Sequence, residues 1–284
     1  MIRLDGATVL LQWATGGLLF LWVTTRHRQV GIGYGWLLRA IYAVMAAGSI
    51  AAAALIDFVP GRDVAAGFTA LAAVTALTVS VVRRRAGVAG EREREHARTA
   101  RVAAMTGIDR ESAGPDPDAA EFPPGLDLIA PAVGAIGLVF AAADAGGPVA
   151  LALARTLVGA AFLGAVSDAM LLGHWYLVQP GLMRRPLLEL VRGLGWLWPV
   201  EVGLLLIPTG MVSAIRGTVD DGAGGLLTWF WVTCAITTIG LVIVTRAALR
   251  ERYYSAVMAA TGLLYLAILT AFGTDLVARA VLAG

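Results

Sequence analysis

The sequence contains no lysine and no asparagine, and it is poor in cysteine and histidine. All 22 basic residues are arginine, which we interpret as the codon bias of a GC-rich bacterial genome. The single cysteine, Cys234, excludes an intramolecular disulfide and any metal site built from several cysteines. The chain also has no His-Glu-x-x-His, Gly-x-Ser-x-Gly or Walker motif. It therefore matches no common enzyme template, and whether it is an enzyme stays open.

Charge is scarce as well. Only 15% of the residues are charged and 58% are hydrophobic, with a mean hydropathy of +0.76. This balance is far from that of a soluble globular domain. The formal net charge of +2 is too small to indicate nucleic-acid binding. The sequence predicts an integral membrane protein whose main partner is the lipid bilayer.

Eight apolar stretches are each long enough to cross a bilayer, which takes about 20 residues for about 30 Å of hydrocarbon. They lie at residues 7–25, 36–57, 64–83, 126–144, 148–172, 187–211, 225–246 and 254–277. We predict an all-α, polytopic membrane protein with eight transmembrane helices. The first three spans lie within residues 1–83, a long charged and proline-rich loop occupies 84–125, and five spans follow within 126–284.

Arginines sort between the connecting loops. The loops after the first, third, fifth and seventh spans are basic, with arginines at 26 and 28, 83–85, 184–185, and 246, 250 and 252. The other loops are short and acidic or nearly neutral. The positive-inside rule assigns basic loops to the cytoplasm. We predict a multi-pass protein of the bacterial cytoplasmic membrane with both termini outside and loop 84–125 inside. The alternating charges at 91–96 predict a short surface helix there.

The two halves of the chain show similarities that suggest a duplication. The third span contains the run AVTAL at 73–77, and the seventh contains AITTI at 235–239. His27 and His174 follow or close the first and fifth spans, and Arg39 and Arg192 lie in the helices that come next. These matches suggest two parallel four-helix repeats, related by an axis along the membrane normal.

The histidines carry the first hypothesis on chemistry. If the halves are equivalent, His27 and His174 lie at the same depth near the cytoplasmic face. Two imidazoles that face each other can bind the iron of a b-type haem from both sides. Arg26 and Arg28 would lie at the right level to pair with haem propionates. The simpler explanation is a helix end with interfacial anchors around His174 and a solvated loop residue at His27.

Charged residues inside the spans carry the second hypothesis. Arg155 and Asp168 lie in the fifth span and Glu201 lies in the sixth. A charge at the bilayer centre costs about 2.5–3.5 kcal/mol or more, so such groups usually face a bundle interior or a water-filled path. Arg155 and Asp168 are separated by nearly 20 Å along one helix and cannot pair. Glu201 could meet either of them, which is an arrangement that transporters use and that buried structural ion pairs also show.

A smaller prediction concerns the cytoplasmic face. Glu189 and Arg192 are three residues apart, and we expect them to form a local surface pair.

Three functions remain open from the sequence. The first is a redox or respiratory-chain subunit with a haem or quinone site near the cytoplasmic face. The second is a small-solute or ion-coupled transporter that uses Asp168, Glu201 and Arg155. The third is a scaffold subunit of a respiratory or transport complex, without chemistry of its own.

Overall fold

The computed structural model describes residues 5–55, 57–88, 99–100, 103–105, 116, 119–179, 182–207 and 210–283. These residues form helices and connecting turns and contain no strand. The charged segment 91–96, for which the sequence predicts a surface helix, lies outside the described residues.

The long helices follow the apolar stretches of the sequence. We number the α-helices in chain order as α1 Gly6–Thr25, α2 Ile32–Leu55, α3 Pro60–Val82, α4 Ile129–Asp144, α5 Val149–Val178, α6 Arg185–Leu206, α7 Gly210–Ile215, α8 Leu226–Ala248, α9 Tyr254–Phe272 and α10 Ala278–Ala283. A 3-10 turn, Pro124–Leu128, leads into α4, and a π-helical turn, Gly273–Val277, joins α9 to α10.

Seven helices are long and apolar enough to cross a membrane, which identifies a multi-pass membrane protein. They are α1, α2, α3, α4 with its 3-10 turn, α5, α8, and the continuous segment from α9 to α10. Helix α6 is not among them because it carries Arg185, Glu189, Arg192 and Glu201. The predicted sixth span, 187–211, is divided between α6 and the short α7. The fifth span is longer than predicted, since α5 continues through His174 to Val178.

The long helices pack as two rings of four. Helices α1 to α4 pack each against the next, and α4 packs back against α1. In the same way α5, α6, α8 and α9 pack in order, and α9 packs back against α5. The rings meet mainly through α1 and α5. All four arginine-rich loops lie at one end of the bundle, because successive long helices reverse direction; we call this the arginine-rich end.

Helices α1 and α5 approach to backbone contact. A Cβ atom on Gly16 would lie 2.6 Å from the carbonyl carbon of Ala160 and 3.2 Å from the Cα of Gly164. A Cβ atom on Gly164 would lie 2.6 Å from the Cα of Gly16. Small residues at such a crossing allow extensive van der Waals contact, which drives helix association in lipid.

Two aspartates fix helix starts at the end opposite the arginine-rich one. Asp5 caps α1 by accepting hydrogen bonds from the amide and the hydroxyl of Thr8. The carboxylate of Asp221 accepts hydrogen bonds from three backbone amides. The nitrogen–oxygen distances are 3.0 Å from Ala223, 2.8 Å from Gly225 and 2.9 Å from Thr228. These amides, with Thr228 and Gly225 foremost, lower the pKa of Asp221 to about 2.

The α1–α5 contact predicts the effect of one added methyl group. Gly164→Ala should lower the free energy of unfolding by about 1–3 kcal/mol, because the obstacle is backbone that cannot rotate away. Unfolding in mixed detergent micelles measures this. Gly262→Ala is the matched control, since a Cβ atom there meets nothing within 4 Å. Equal stability of Gly164→Ala and Gly262→Ala would contradict the packing argument.

The Asp221 turn predicts a pH-dependent stability. Because its pKa is lower in the folded protein than the ordinary value of 3.8, its contribution is present above about pH 4 and is lost as the pH falls through about 2. Asp221→Asn should therefore lower the thermal midpoint at pH 7, and its difference from the wild type should shrink between pH 4 and pH 2. A difference that stays constant over this range would disprove the contribution of the charge.

Candidate functional site

A group of buried polar side chains from four helices forms the candidate site, near the end opposite the arginine-rich one. We call it the carboxyl–arginine cluster; its members are Gln12 of α1, Arg155 of α5, Glu201 of α6, Asp275 of the π-helical turn and Arg279 of α10. Gln12 and Arg155 each lie six residues from a helix start, or about 9 Å along the axis. The cluster is therefore at membrane depth.

Arg155 donates hydrogen bonds to main-chain carbonyls at the point where helix α6 breaks. Helix α6 ends at Leu206, and Ile207 is extended with φ −92° and ψ 148°. Arg155 donates from Nε to the carbonyl of Leu204 at 2.9 Å and from Nη2 to that of Ile207 at 2.6 Å. The arginine thus satisfies carbonyls that lost their helical partners, as backbone at membrane depth requires. Arg155 thus lies beside the end of α6, the helix that carries Glu201, and its guanidinium is bound to main chain and not to the Glu201 carboxyl.

Arg279 holds the second half of the cluster together. Its Nε donates to Asp275 Oδ1 at 2.6 Å, its Nη1 to Gln12 Oε1 at 3.1 Å and its Nη2 to the carbonyl of Arg155 at 2.7 Å. The guanidinium therefore links α10, α1 and α5. Asp275 lies in a π-helical turn, a feature that is frequent at functional sites.

A glycine makes room for these contacts. A Cβ atom on Gly159 would lie 3.0 Å from Asp275 Oδ1 and would overlap the ends of Arg279 and Gln12. Without a side chain at this position, the guanidinium of Arg279 can rest on α5.

Glu201 has no donor among the described residues. Its side chain is fully buried, and neither Oε1 nor Oε2 receives a hydrogen bond. The carboxyl interacts electrostatically with that of Asp275, whose Oδ2 also has no donor among the described residues. Arg279 and Arg155 supply the positive charges that act on Glu201. Two carboxyl groups form a hydrogen bond only when one of them carries a proton.

Asp168 lies apart from this cluster, although the sequence groups it with Glu201 and Arg155. It is fully buried in α5, about 15 Å from the helix end at Val178. Tyr42 of α2 donates to its Oδ1, and Tyr34 donates to its main-chain oxygen at 3.4 Å. The possible contact between Asp168 and Glu201 is not observed, since each has other neighbours.

The residues predicted for a haem site lie near the arginine-rich end, and their hydrogen bonds go to different partners. His27 is exposed and accepts a hydrogen bond from Arg26 at 3.2 Å. His174 is exposed on α5, and its Nδ1 is 3.0 Å from the hydroxyl of Tyr265. The haem site stays a prediction. Among the described residues, no contact joins the imidazole of His27 to that of His174.

The two arginines expected at haem propionates form ion pairs within the protein. Arg26 pairs with Glu189 of α6, and Arg28 pairs with Glu121. The predicted pair of Glu189 with Arg192 was therefore wrong. Glu189 faces α1 and meets Arg26, because the short loop between α5 and α6 brings the start of α6 beside the end of α1.

A cleft of about 370 Å³, counted out to open solvent, lies at the same end of the bundle. Its walls include Arg28, Gly31 and Arg39. Arg39 is buried and forms a two-point ion pair with Asp127, with nitrogen–oxygen distances of 2.7 Å and 2.6 Å. The ring of Phe122 covers the guanidinium at 4.5 Å. These contacts fasten the end of the long loop to α2.

Sequence reasoning missed three members of the cluster. Asp275 and Arg279 lie at or beyond the end of the last apolar stretch, where charges read as a solvated helix end. Their spacing of four residues was the available signal, because it places a carboxylate and a guanidinium on one helical face. Gln12 is a single amide in an apolar run and gave no signal.

No protein-family model, no curated protein and no solved structure matches this chain. Within the described residues there is also no group of three or more His, Cys, Asp or Glu side chains that could hold a metal ion.

The buried ion pair between Asp275 and Arg279 predicts how stability changes when its cation is removed. Arg279→Gln should lower the free energy of unfolding by about 3–5 kcal/mol, because it leaves the Asp275 carboxylate buried without its cation. The double variant Asp275→Asn/Arg279→Gln should recover much of that loss, as measured by unfolding in detergent micelles. A double variant no more stable than Arg279→Gln would contradict the ionic assignment.

Proposed function

We propose that the protein is a proton-coupled transporter of a small solute, and that the carboxyl–arginine cluster binds the coupling proton. The observation that carries this proposal is the full burial of Glu201 and Asp275 in one cluster with too few hydrogen-bond donors for their carboxyl oxygens. These are two buried carboxyl groups at membrane depth, and three of their four oxygens lack a donor in the described structure.

A bound proton explains how the carboxyl groups of Glu201 and Asp275 can be buried in one cluster. If both groups were ionised, two negative charges would face each other and their oxygens would be buried without donors, which is costly in a medium of low dielectric constant. A proton on Glu201 turns one oxygen into a donor toward Asp275 and removes the repulsion. Arg155 and Arg279 balance two ionised carboxylates, so the shared proton leaves the cluster with one net positive charge. Binding and release of the proton therefore change the charge of the site.

The backbone around the cluster favours a transporter and not a static, purely structural ion pair. Glu201 lies between Pro199 and the end of α6, and the chain resumes as α7 at Gly210, whose φ is +28°. Asp275 lies in a π-helical turn. Discontinuous helices whose freed backbone groups and charged side chains meet at membrane depth are characteristic of secondary transporters. Such breaks can repack at small cost, which coupled transport requires.

The finer topology belongs to this proposal. With the arginine-rich end in the cytoplasm, α6 completes eight spans and the cluster lies nearer the outside. The two rings of four helices that meet through α1 and α5 have the arrangement expected of two parallel repeats. Alternating access would then be a movement of one ring against the other.

The redox and scaffold alternatives have less support. Arg26 and Arg28 form ion pairs with carboxylates of the protein itself. These two arginines therefore do not support the haem alternative. A scaffold has no need of buried carboxyl groups that lack hydrogen-bond donors at membrane depth, where such groups are usually functional.

Charge movement after a pH jump tests the proposal without knowledge of the solute. Protein reconstituted in liposomes on a solid-supported membrane should give a transient current when the external pH is stepped, because protons enter the buried site. Glu201→Gln should lose most of this current, since an amide takes up no proton.

Glu189→Gln is the matched control, because it makes the same change on the same helix at a partly exposed ion pair. Its current should equal that of the wild type. A wild type without a transient current, or an equal current from Glu201→Gln, would reject proton coupling at this site.

A further inference from the structure

Asp168 is a buried carboxyl group outside the carboxyl–arginine cluster, and it forms no ion pair within the described residues. None of its side chain is exposed, and its Oδ2 has no hydrogen-bond partner among the described residues. Its Oδ1 accepts a hydrogen bond from the hydroxyl of Tyr42. It lies on the arginine-rich side of the α1–α5 crossing, 13 residues and about 20 Å along α5 from Arg155.

The buried arginines of the described structure are engaged elsewhere. They pair as Arg39 with Asp127, Arg62 with Asp63 and Asp5, Arg279 with Asp275, and Arg155 with two main-chain carbonyls. The titratable groups around Asp168 are tyrosines: Tyr42 and Tyr34 of α2, with Tyr176 beyond Tyr34. From α1, Trp13 donates to the neighbouring Ser167 at 2.8 Å. The carboxyl group thus sits among neutral donors.

A glycine on α1 leaves space for the side chain of Tyr42. Its ring fills the space beside Gly17, where a Cβ atom would lie 2.5 Å from Cε2 and would overlap the ring. Tyr42 is 1% exposed, and its hydroxyl donates a hydrogen bond to Asp168. A hydroxyl donor on Oδ1 suits a carboxylic acid that keeps its own hydrogen on Oδ2. It does not suit a metal cation, which would need several free oxygens.

We infer that Asp168 and Tyr42 form a second proton-binding site, in which Asp168 is a carboxylic acid with its proton on Oδ2 and Tyr42 bound to Oδ1. The site lies on the opposite side of the Gly16–Gly164 contact from the carboxyl–arginine cluster. Its role in coupling rests on the proposed function, since two proton sites on either side of a close-packed crossing suit alternating access. The presence of the proton on Asp168 does not depend on that function.

Infrared spectroscopy of the protein reconstituted in lipid at pH 7 tests this inference. The carbonyl stretching band of a protonated carboxyl group is separate from the bands of carboxylates. Asp168→Asn should lose one such band, and its folding should be preserved because an amide has the shape of the neutral acid. Tyr42→Phe should keep the band but move it to higher wavenumber, because the carbonyl of Asp168 loses a hydrogen bond.

Two further variants separate this inference from the proposed function. Asp220→Asn, at an exposed loop position, should leave every carboxylic-acid band unchanged. Glu201→Gln should leave the Asp168 band in place whether or not the cluster binds a proton. The inference is overturned if Asp168→Asn keeps all acid bands and loses carboxylate intensity, or if Tyr42→Phe leaves the acid bands unmoved.

Discussion

The fold depends on the backbone contact between α1 and α5 at Gly16, Ala160 and Gly164. In lipid, apolar side chains gain little by leaving the solvent, so helices associate through close packing and hydrogen bonds. This crossing joins the two rings of four helices. It also fixes the register between α1 and α5, which brings Gln12 to Arg279 on one side of the crossing. On the other side, Gly17 gives Tyr42 the space from which it reaches Asp168.

Ion pairing inside the bundle is uneven. Most buried arginines have a carboxylate partner, and Arg155 has main-chain carbonyls. Glu201 and Asp168 have no such partner. A buried ion pair can often be replaced by apolar residues without loss of stability, because desolvation of the charges offsets their attraction. The two buried carboxyl groups that lack an ion pair are therefore the basis of the proposals that protons bind there.

The sequence alone predicted the membrane class, most helix positions and three of the intramembrane charges, because length and hydropathy determine them. It did not predict which charges meet. Asp275 lies at the end of the last apolar stretch and Arg279 lies beyond it. They are buried because the π-helical turn and α10 continue into the bundle. The separation of Asp168 from Glu201, and the pairing of Glu189 with Arg26, depend on which helices are neighbours. Periodicity within one helix carries no information on that choice.

The two carboxyl sites differ in what happens when a proton leaves. At Glu201, the remaining anion lies close to Arg155 and Arg279, which stabilise it, so the cluster can exist with and without the proton. At Asp168, the only partners are tyrosines, and the anion would have one hydrogen bond and no cation. Release there requires either water or a cation that the present packing keeps out. Under the proposed function, the cluster can therefore exchange its proton in this conformation, whereas proton exchange at Asp168 requires a change in the packing around it.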